Sequence, residues 1–159
     1  QVIYATLTQT GMLPVGQELA QQRNLTLSVK YLDAIGNAIV VTELRQGTEL
    51  QAKITVFNNS DDYVDNLALT QIVPSGWEIV NTTYAGGSDP NSNKVDYIDT
   101  RDDRTHFYFA LGRKKTKTFT VKLNASFLGD YYLPGAQVEA MYDNAYYARN
   151  KGKWIKISQ

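Results

Sequence analysis

Apolar and polar residues alternate along most of this chain in short segments. The alternation is clearest over residues 25–31, 50–56, 107–111 and 119–123, where every second residue is apolar. A period of two puts successive side chains on opposite faces of an extended strand, so each segment has one dry face and one wet face. The pattern therefore predicts β-strands for most of the chain.

Turn-forming residues separate these segments and set their number. Clusters of Gly, Pro, Asn, Asp and Ser occur at 33–37, 58–62, 74–76, 86–90, 111–113 and 133–135. They predict about eight or nine strands, and only residues 17–23 have a locally helical composition. A lone antiparallel sheet would leave its apolar face in water, so strands of this kind need two facing sheets. We predict an all-β fold, an antiparallel β-sandwich.

The length of 159 residues fits a single domain over residues 1–159. Residues 1–22 have two interpretations, because the run at 11–16 (GMLPVG) suits a hinge as well as a loop. They form either a first strand plus a loop or the tail of a preceding domain. The chain starts without Met and without the charged and apolar blocks of a signal peptide, so we interpret it as a fragment of a larger protein.

Charge and composition exclude several classes of function. Sixteen Lys and Arg balance sixteen Asp and Glu, so no overall field attracts nucleic acid or an acidic membrane surface. The chain has no cysteine, which excludes disulfides, thiolate metal sites and cysteine nucleophiles within it. No apolar run approaches the roughly 20 residues that cross a bilayer. We expect no nucleic-acid partner and no bound cofactor.

The candidate catalytic and metal-binding residues are few. His106 is the single histidine, and it precedes the alternating segment at 107–111 on the predicted wet face. One His and no Cys cannot supply the ligands of a zinc site. The acidic residues at 96–103 lack the spacing of a calcium loop and lie beside Arg101 and Arg104, which predicts local ion pairs. We predict no catalytic or metal-binding residue, and therefore no enzyme.

Two further segments have unusual polar or apolar content. The basic run at 113–117 joins two predicted strands and is interpreted as a solvated hairpin loop. A strand predicted at 137–142 has Tyr142 on its apolar face and Met141 on its polar face, together with Glu139. A methionine in that position either packs beneath a loop or contacts another domain.

Tyrosines are concentrated towards the end of the chain. Five of the eleven lie between residues 131 and 147, namely Tyr131, Tyr132, Tyr142, Tyr146 and Tyr147. The tyrosine ring adds apolar contact area while its hydroxyl keeps a polar partner, so such a surface suits protein partners or sugars.

Three long segments resemble a known family. They are 67–82 (LALTQIVPSGWEIVNT), 97–111 (YIDTRDDRTHFYFAL) and 117–149 (KTFTVKLNASFLGDYYLPGAQVEAMYDNAYYAR). Together they resemble the C-terminal macroglobulin-like domain of bacterial alpha-2-macroglobulins, and the resemblance extends over most of 25–157. It implies an immunoglobulin/macroglobulin-like β-sandwich. The chain departs from the family pattern at Thr100, where the family usually has Ile.

The resemblance also implies a function. It implies a large periplasmic protease inhibitor, often a membrane-anchored lipoprotein, in which this domain is noncatalytic and any membrane anchor lies elsewhere. In that family a protease cuts a bait region, and a Cys–Gln thioester elsewhere in the polypeptide then bonds the protease. The last domain packs on the thioester domain and shields the thioester until bait cleavage.

The family residues that face the thioester are the Met-Tyr pair of the EAMYD motif, which here is Met141 and Tyr142. The implied partners are the thioester domain, the neighbouring macroglobulin-like domains, and target proteases through the whole protein.

A second interpretation is an immunoglobulin-like adhesin or carbohydrate-binding surface module. Residues 58–60 (NNS) and 74–77 (PSGW) are also compatible with other β-sandwich domains of surface proteins.

Overall fold

A computed structural model describes Gly11 and residues 14–85 and 95–159 of the chain. Within these residues there is no helix, and thirteen strands are present. The strands are β1 (Gln21–Arg23), β2 (Leu25–Asp33), β3 (Glu43–Arg45), β4 (Glu49–Asn58), β5 (Val64–Ile72), β6 (Trp77–Ala85), β7 (Val95–Thr100), β8 (Arg104–Leu111), β9 (Thr116–Ala125), β10 (Gly129–Leu133), β11 (Gln137–Ala140), β12 (Asp143–Arg149) and β13 (Lys153–Ser158).

The strands form two main sheets and one small sheet. The six-stranded sheet has the order β1-β12-β11-β5-β8-β7, and the four-stranded sheet has the order β2-β4-β9-β6. The small sheet has the order β10-β13-β3. Every pairing is antiparallel except β13 with β3. The predicted all-β antiparallel sandwich is confirmed. The predicted number of strands was too low, because β1 and β3 have only three residues each, which is too few to show the alternation in the sequence.

The core lies between the two main sheets. Phe107 and Phe109 on β8 are fully buried, and so is Phe119 on β9 of the facing sheet. The Phe119 ring centroid lies 4.7 Å from that of Phe107 and 4.8 Å from that of Phe109. The alternating residues of β4, from Leu50 to Val56, are buried on the same side of their sheet. The period-two segments therefore form the core as predicted.

Residues 17–23, whose composition is locally helical, form no helix in the structure. Gln21–Arg23 is strand β1 instead, and it pairs with the end of β12. Seven residues are too few for a helix to offset the cost of its first turn, whereas pairing with β12 satisfies backbone hydrogen-bonding groups at once. Residues 1–10, the two residues 12–13 and the predicted turn at 86–90 lie outside the described residues.

The basic run at 113–117 is only partly a solvated loop. Arg113, Lys114 and Lys115 are exposed, as predicted. Lys117 is buried in β9, and its ammonium nitrogen lies 5.4 Å from the centre of the Phe109 ring. Burial lowers the pKa of the Lys117 ammonium, while the charge of Asp96 opposes that shift. The prediction was wrong for Lys117 because it follows the strand alternation rather than the loop composition.

The acidic segment contains the predicted local ion pairs. Arg101 Nε lies 3.1 Å from Asp99 Oδ2, and Arg104 Nη2 lies 2.5 Å from Asp103 Oδ2. Over the described part of the chain, no three His, Asp or Glu residues are grouped so that they could hold a metal ion. The same residues include no helix that is long and apolar enough to span a membrane.

The turn after β2 depends on the carboxylate of Asp33. Asp33 Oδ1 accepts hydrogen bonds from the backbone nitrogens of Asn37 (2.8 Å) and Ile35 (3.0 Å). Asp33 Oδ2 accepts another from Asn37 Nδ2 at 3.1 Å. The backbone bond from Asn37 is the largest of the effects that lower the pKa of Asp33.

Because the pKa of Asp33 is lower in the folded state than in the unfolded state, protonation of Asp33 at low pH lowers the stability of the domain. Its stabilising contribution is complete above the unfolded pKa, near 3.8, and is lost as the pH falls through the lower folded pKa. We expect the free energy of unfolding to fall less between pH 5 and pH 2 in Asp33→Asn than in the unchanged domain. Urea denaturation across that range measures the difference, and parallel pH profiles of the two proteins would contradict the prediction.

Candidate functional site

Met141 and Tyr142 form the two-residue turn between β11 and β12. The β11–β12 pairing shifts after Glu139, so that Ala140 pairs directly with Asp143. The Met141 side chain is 52% exposed and that of Tyr142 is 82% exposed. The prediction of a strand reaching Tyr142 is therefore wrong, because strand pairing closes into a turn two residues earlier. Met141 is not packed beneath a loop, and both side chains project from the end of a hairpin.

One side of this turn is fixed by the start of β5. Met141 N donates a hydrogen bond to the Asn66 carbonyl oxygen at 3.0 Å. Asn66 has a φ of 52° and lies where the β5–β8 register shifts, between Val64 and Leu67. Asparagine adopts this left-handed backbone more readily than most residues. The irregular start of β5 therefore presents a carbonyl to the turn.

The other side is fixed by the junction between β1 and β2. Asn24 has a φ of 53° and its Nδ2 donates to the Ala145 carbonyl oxygen at 3.1 Å. The Asp143 carboxylate accepts a hydrogen bond from Ala145 N at 2.9 Å. Arg23 Nη1 lies 3.5 Å from the Asn144 carbonyl oxygen. Sequence reasoning missed Asn24 and Asn66, although an asparagine next to the start of an alternating segment is a signal for a backbone irregularity.

A cavity of about 340 Å³ lies beside the turn, between the turn and the loop that precedes β5. We call it the acidic cavity. Its walls include three carboxylates and three tyrosine rings, namely Asp62, Asp65, Asp143, Tyr63, Tyr142 and Tyr146. Asn58 is buried at the end of β4, and its Nδ2 donates to the Asp62 carbonyl oxygen at 2.8 Å. The strand end thus holds the loop that forms one wall.

The tyrosines near the end of the chain separate into different sites. Tyr142 and Tyr146 line the acidic cavity, and Tyr146 and Tyr147 line a second depression together with Arg23 and Asn144. Tyr132 lies in the small sheet, where its hydroxyl donates a hydrogen bond to the Glu18 carboxylate. Burial, followed by that hydrogen bond, raises the pKa of Tyr132 to about 12. Tyr131 also belongs to β10, so the sequence cluster does not form one surface.

His106 is on the outer face of β8, as predicted. Its Nδ1 lies 2.9 Å from Thr70 Oγ1, and its ring stacks against Tyr108 with centroids 6.3 Å apart.

The Met141–Tyr142 turn does not include His106, because it connects β11 with β12. The turn and the acidic cavity beside it bring together apolar, aromatic and acidic side chains. This arrangement is suited to contact with another surface.

The chain matches the family model described as the bacterial alpha-2-macroglobulin MG10 domain over residues 22–144. It is 26% identical over 159 residues to an alpha-2-macroglobulin of Pasteurella multocida, covering 99% of this chain and 8% of that protein. It is 26% identical over 141 residues to one of Rickettsia conorii, covering 80% and 7%. The chain thus spans less than a tenth of the length of these curated relatives.

Solved structures show the same fold. The structure of Salmonella alpha-2-macroglobulin reacted with methylamine matches with a TM-score of 0.77 and 21% identity, over 89% of this chain and 10% of that one. Native alpha-2-macroglobulin of Escherichia coli, from domain MG7 to the C-terminus, matches with a TM-score of 0.77 and 20% identity, over 92% and 25%. The sandwich is therefore similar to one part of each of these larger chains.

Proposed function

The chain belongs to the bacterial alpha-2-macroglobulin MG10 domain family, and on that premise we propose that it is a noncatalytic, C-terminal domain of a periplasmic protease inhibitor. Its Met141–Tyr142 turn packs on the thioester domain of the same polypeptide and shields the thioester until bait cleavage. The other partners are neighbouring macroglobulin-like domains and, through the whole protein, target proteases. Any attachment to the inner membrane is through an anchor elsewhere in the polypeptide.

The observation that carries this proposal is the exposure of two large side chains at a fixed turn. Met141 and Tyr142 are 52% and 82% exposed, although the backbone around them is hydrogen-bonded on both sides. Docking such a turn removes apolar surface from water and orders little additional backbone, so little conformational entropy is lost. The turn is suited to contact with another surface.

Contact of this kind protects a thioester because it excludes water and amines from the bond. A thioester is lost when water or an amine reaches its carbonyl carbon, and a closely packed apolar cover keeps both away. This chain has no cysteine, so its part is to cover a thioester formed elsewhere. One similar structure is that of a Salmonella alpha-2-macroglobulin reacted with methylamine, a small amine that attacks thioesters. Methylamine is therefore a suitable probe for the parent of this chain.

The proposal predicts that Met141→Ala combined with Tyr142→Ala exposes the thioester of the intact parent protein. We expect methylamine incorporation to become about tenfold faster, which corresponds to the loss of roughly 1.4 kcal/mol of protection. The mass of the intact protein during incubation with methylamine gives the rate.

The matched control is Phe127→Ala combined with Leu128→Ala. These two residues are also consecutive, apolar and exposed, at 52% and 45%, but they lie in the loop between β9 and β10. We expect this control to react at the rate of the unchanged protein. Equal methylamine rates in the turn variant and the unchanged protein would refute shielding by the turn.

Family membership supports this proposal over the adhesin or carbohydrate-binding alternative. The matched segment, residues 22–144, includes the turn itself, and the curated relatives are alpha-2-macroglobulins.

A further inference from the structure

Strand β1 is a short strand at the edge of the six-stranded sheet. Its residues 21–23 pair with residues 147–149 of β12, and all three of its side chains are exposed. Such a strand buries little apolar surface to offset the entropy that is lost when its backbone becomes ordered. Its attachment therefore depends on contacts outside the strand pairing.

Two side chains from other strands hold the segment that precedes β1. Arg149 on β12 donates hydrogen bonds from Nε (3.3 Å) and Nη2 (3.1 Å) to the Leu19 carbonyl oxygen. The Tyr132 hydroxyl on β10 donates to the Glu18 carboxylate, which also accepts a bond from Gly16 N at 3.0 Å. Hydrogen bonds to charged groups are stronger than those between neutral groups. The segment is thus attached to the six-stranded sheet and to the small sheet.

The same segment runs beside an aromatic pair of the small sheet. The rings of Tyr132 and Trp154 meet edge to face, with centroids 5.5 Å apart. Gly16 has a φ of 89°, and a Cβ atom there would lie 3.7 Å from Trp154 Nε1 and 3.9 Å from Tyr132 Cε2. The backbone at Gly16 is therefore next to the tyrosine whose hydroxyl binds Glu18.

The other end of the segment reaches the Met141–Tyr142 turn. Arg23 Nη1 and Asn24 Nδ2 lie 3.5 Å and 3.1 Å from the carbonyl oxygens of Asn144 and Ala145. These carbonyls come two and three residues after Tyr142, at the start of β12. One continuous segment, residues 14–24, therefore connects the small sheet with the backbone that follows the turn.

We propose that residues 14–24 form an arm that positions the Met141–Tyr142 turn, and that Tyr132 and Arg149 are the positioning residues that hold the arm. Attachment at residues 18–19 keeps β1 paired, and paired β1 places Arg23 and Asn24 against the start of β12. Release of the arm frees that part of β12, so the turn moves in a local opening and not through global unfolding. The inference rests on the proposed function only for its consequence, which is that a loosened turn covers a thioester less well.

The test is hydrogen–deuterium exchange of the amides of residues 141–149 in the intact parent protein, with the amides of β4 and β9 followed in the same experiment. Tyr132→Phe removes only the hydroxyl that binds Glu18. We expect exchange at 141–149 to become about threefold to tenfold faster, as for the loss of one partly exposed hydrogen bond. Exchange in β4 and β9 should not change, because a local opening leaves the core intact.

The matched control is Tyr131→Phe, at the neighbouring position of β10. The Tyr131 hydroxyl donates to the Leu128 carbonyl oxygen at 2.9 Å, in the loop between β9 and β10. This variant should exchange at 141–149 like the unchanged protein. A second pair of variants tests the acceptor: Glu18→Gln keeps an oxygen for the Tyr132 hydroxyl and should exchange more slowly than Glu18→Ala.

Three results would overturn the inference. The first is exchange at 141–149 in Tyr132→Phe at the rate of the unchanged protein. The second is equal acceleration in Tyr131→Phe. The third is acceleration of β4 and β9 by the same factor as 141–149, which would indicate global destabilisation.

The two proposals fail in different measurements. If the alanine pair at the turn leaves methylamine incorporation unchanged while Tyr132→Phe accelerates exchange at 141–149, thioester shielding is wrong and the arm remains. If the alanine pair accelerates methylamine incorporation but Tyr132→Phe exchanges normally, the arm is wrong and shielding remains.

Discussion

Replacing Phe119 by alanine is expected to lower the free energy of unfolding of the domain by about 3 to 5 kcal/mol, the usual cost of deleting a buried aromatic ring. Phe119 is fully buried on β9, and its ring contacts those of Phe107 and Phe109 on the opposite sheet. Its removal leaves a cavity where the two main sheets meet. Residues on both sides belong to paired strands, so the backbone cannot collapse freely into the space.

Urea denaturation of the domain measures this loss, with Phe127→Ala as the matched control. Phe127 is 52% exposed, so the same substitution removes little buried surface and should change stability by about 1 kcal/mol or less. If the two variants lose similar stability, Phe119 does not connect the two sheets. An unchanged denaturant slope in both variants would indicate that the native and unfolded states keep their compactness.

The core of this fold was predictable because its signal is local. In β4 and β9 the alternation of apolar residues continues for seven residues or more, and each apolar position is buried. The same alternation predicts that Lys117 is buried, because Lys117 lies two residues before Phe119. The basic residues next to it led instead to the prediction of an exposed loop. The short strand β1 has no such signal, because it depends on pairing with β12, more than a hundred residues later.

The candidate site was predictable only in part. Met141 and Tyr142 were identified from a family resemblance and from one methionine at a polar position, and their protective role stays a prediction. The acidic cavity was not predicted, because its walls come from residues 62–66 and 140–146. The antiparallel pairing of β5 with β11 brings these segments together, and the alternation pattern of either segment contains no information on that pairing.

The position of the Met141–Tyr142 turn also depends on the backbone just before β11, where we expect a substitution at Gly135 to lower the stability of the domain strongly. Gly135 precedes β11 and lies against the segment between β12 and β13. A Cβ atom at residue 135 would overlap the Asn150 carbonyl oxygen and lie 2.6 Å from its carbonyl carbon. The φ of Gly135 is not in the left-handed region, so the constraint is steric. Backbone atoms cannot rotate away as a flexible side chain can.

Gly135→Ala must therefore separate two backbone segments that are hydrogen-bonded to each other, since Asn150 N donates to the Ala136 carbonyl oxygen at 3.0 Å. We expect a loss of about 2 to 4 kcal/mol in urea denaturation, from overpacking together with weakening of that bond. The control is Gly112→Ala, where the nearest atom is Lys115 Cγ at 3.2 Å, on a side chain that can move. Similar losses in both variants would contradict the steric argument.

Gly135→Ala should also affect the Met141–Tyr142 turn. Because Ala136 leads directly into β11, a displaced backbone there shifts the strand that positions Met141 and Tyr142. We therefore expect Gly135→Ala to accelerate methylamine incorporation in the parent protein.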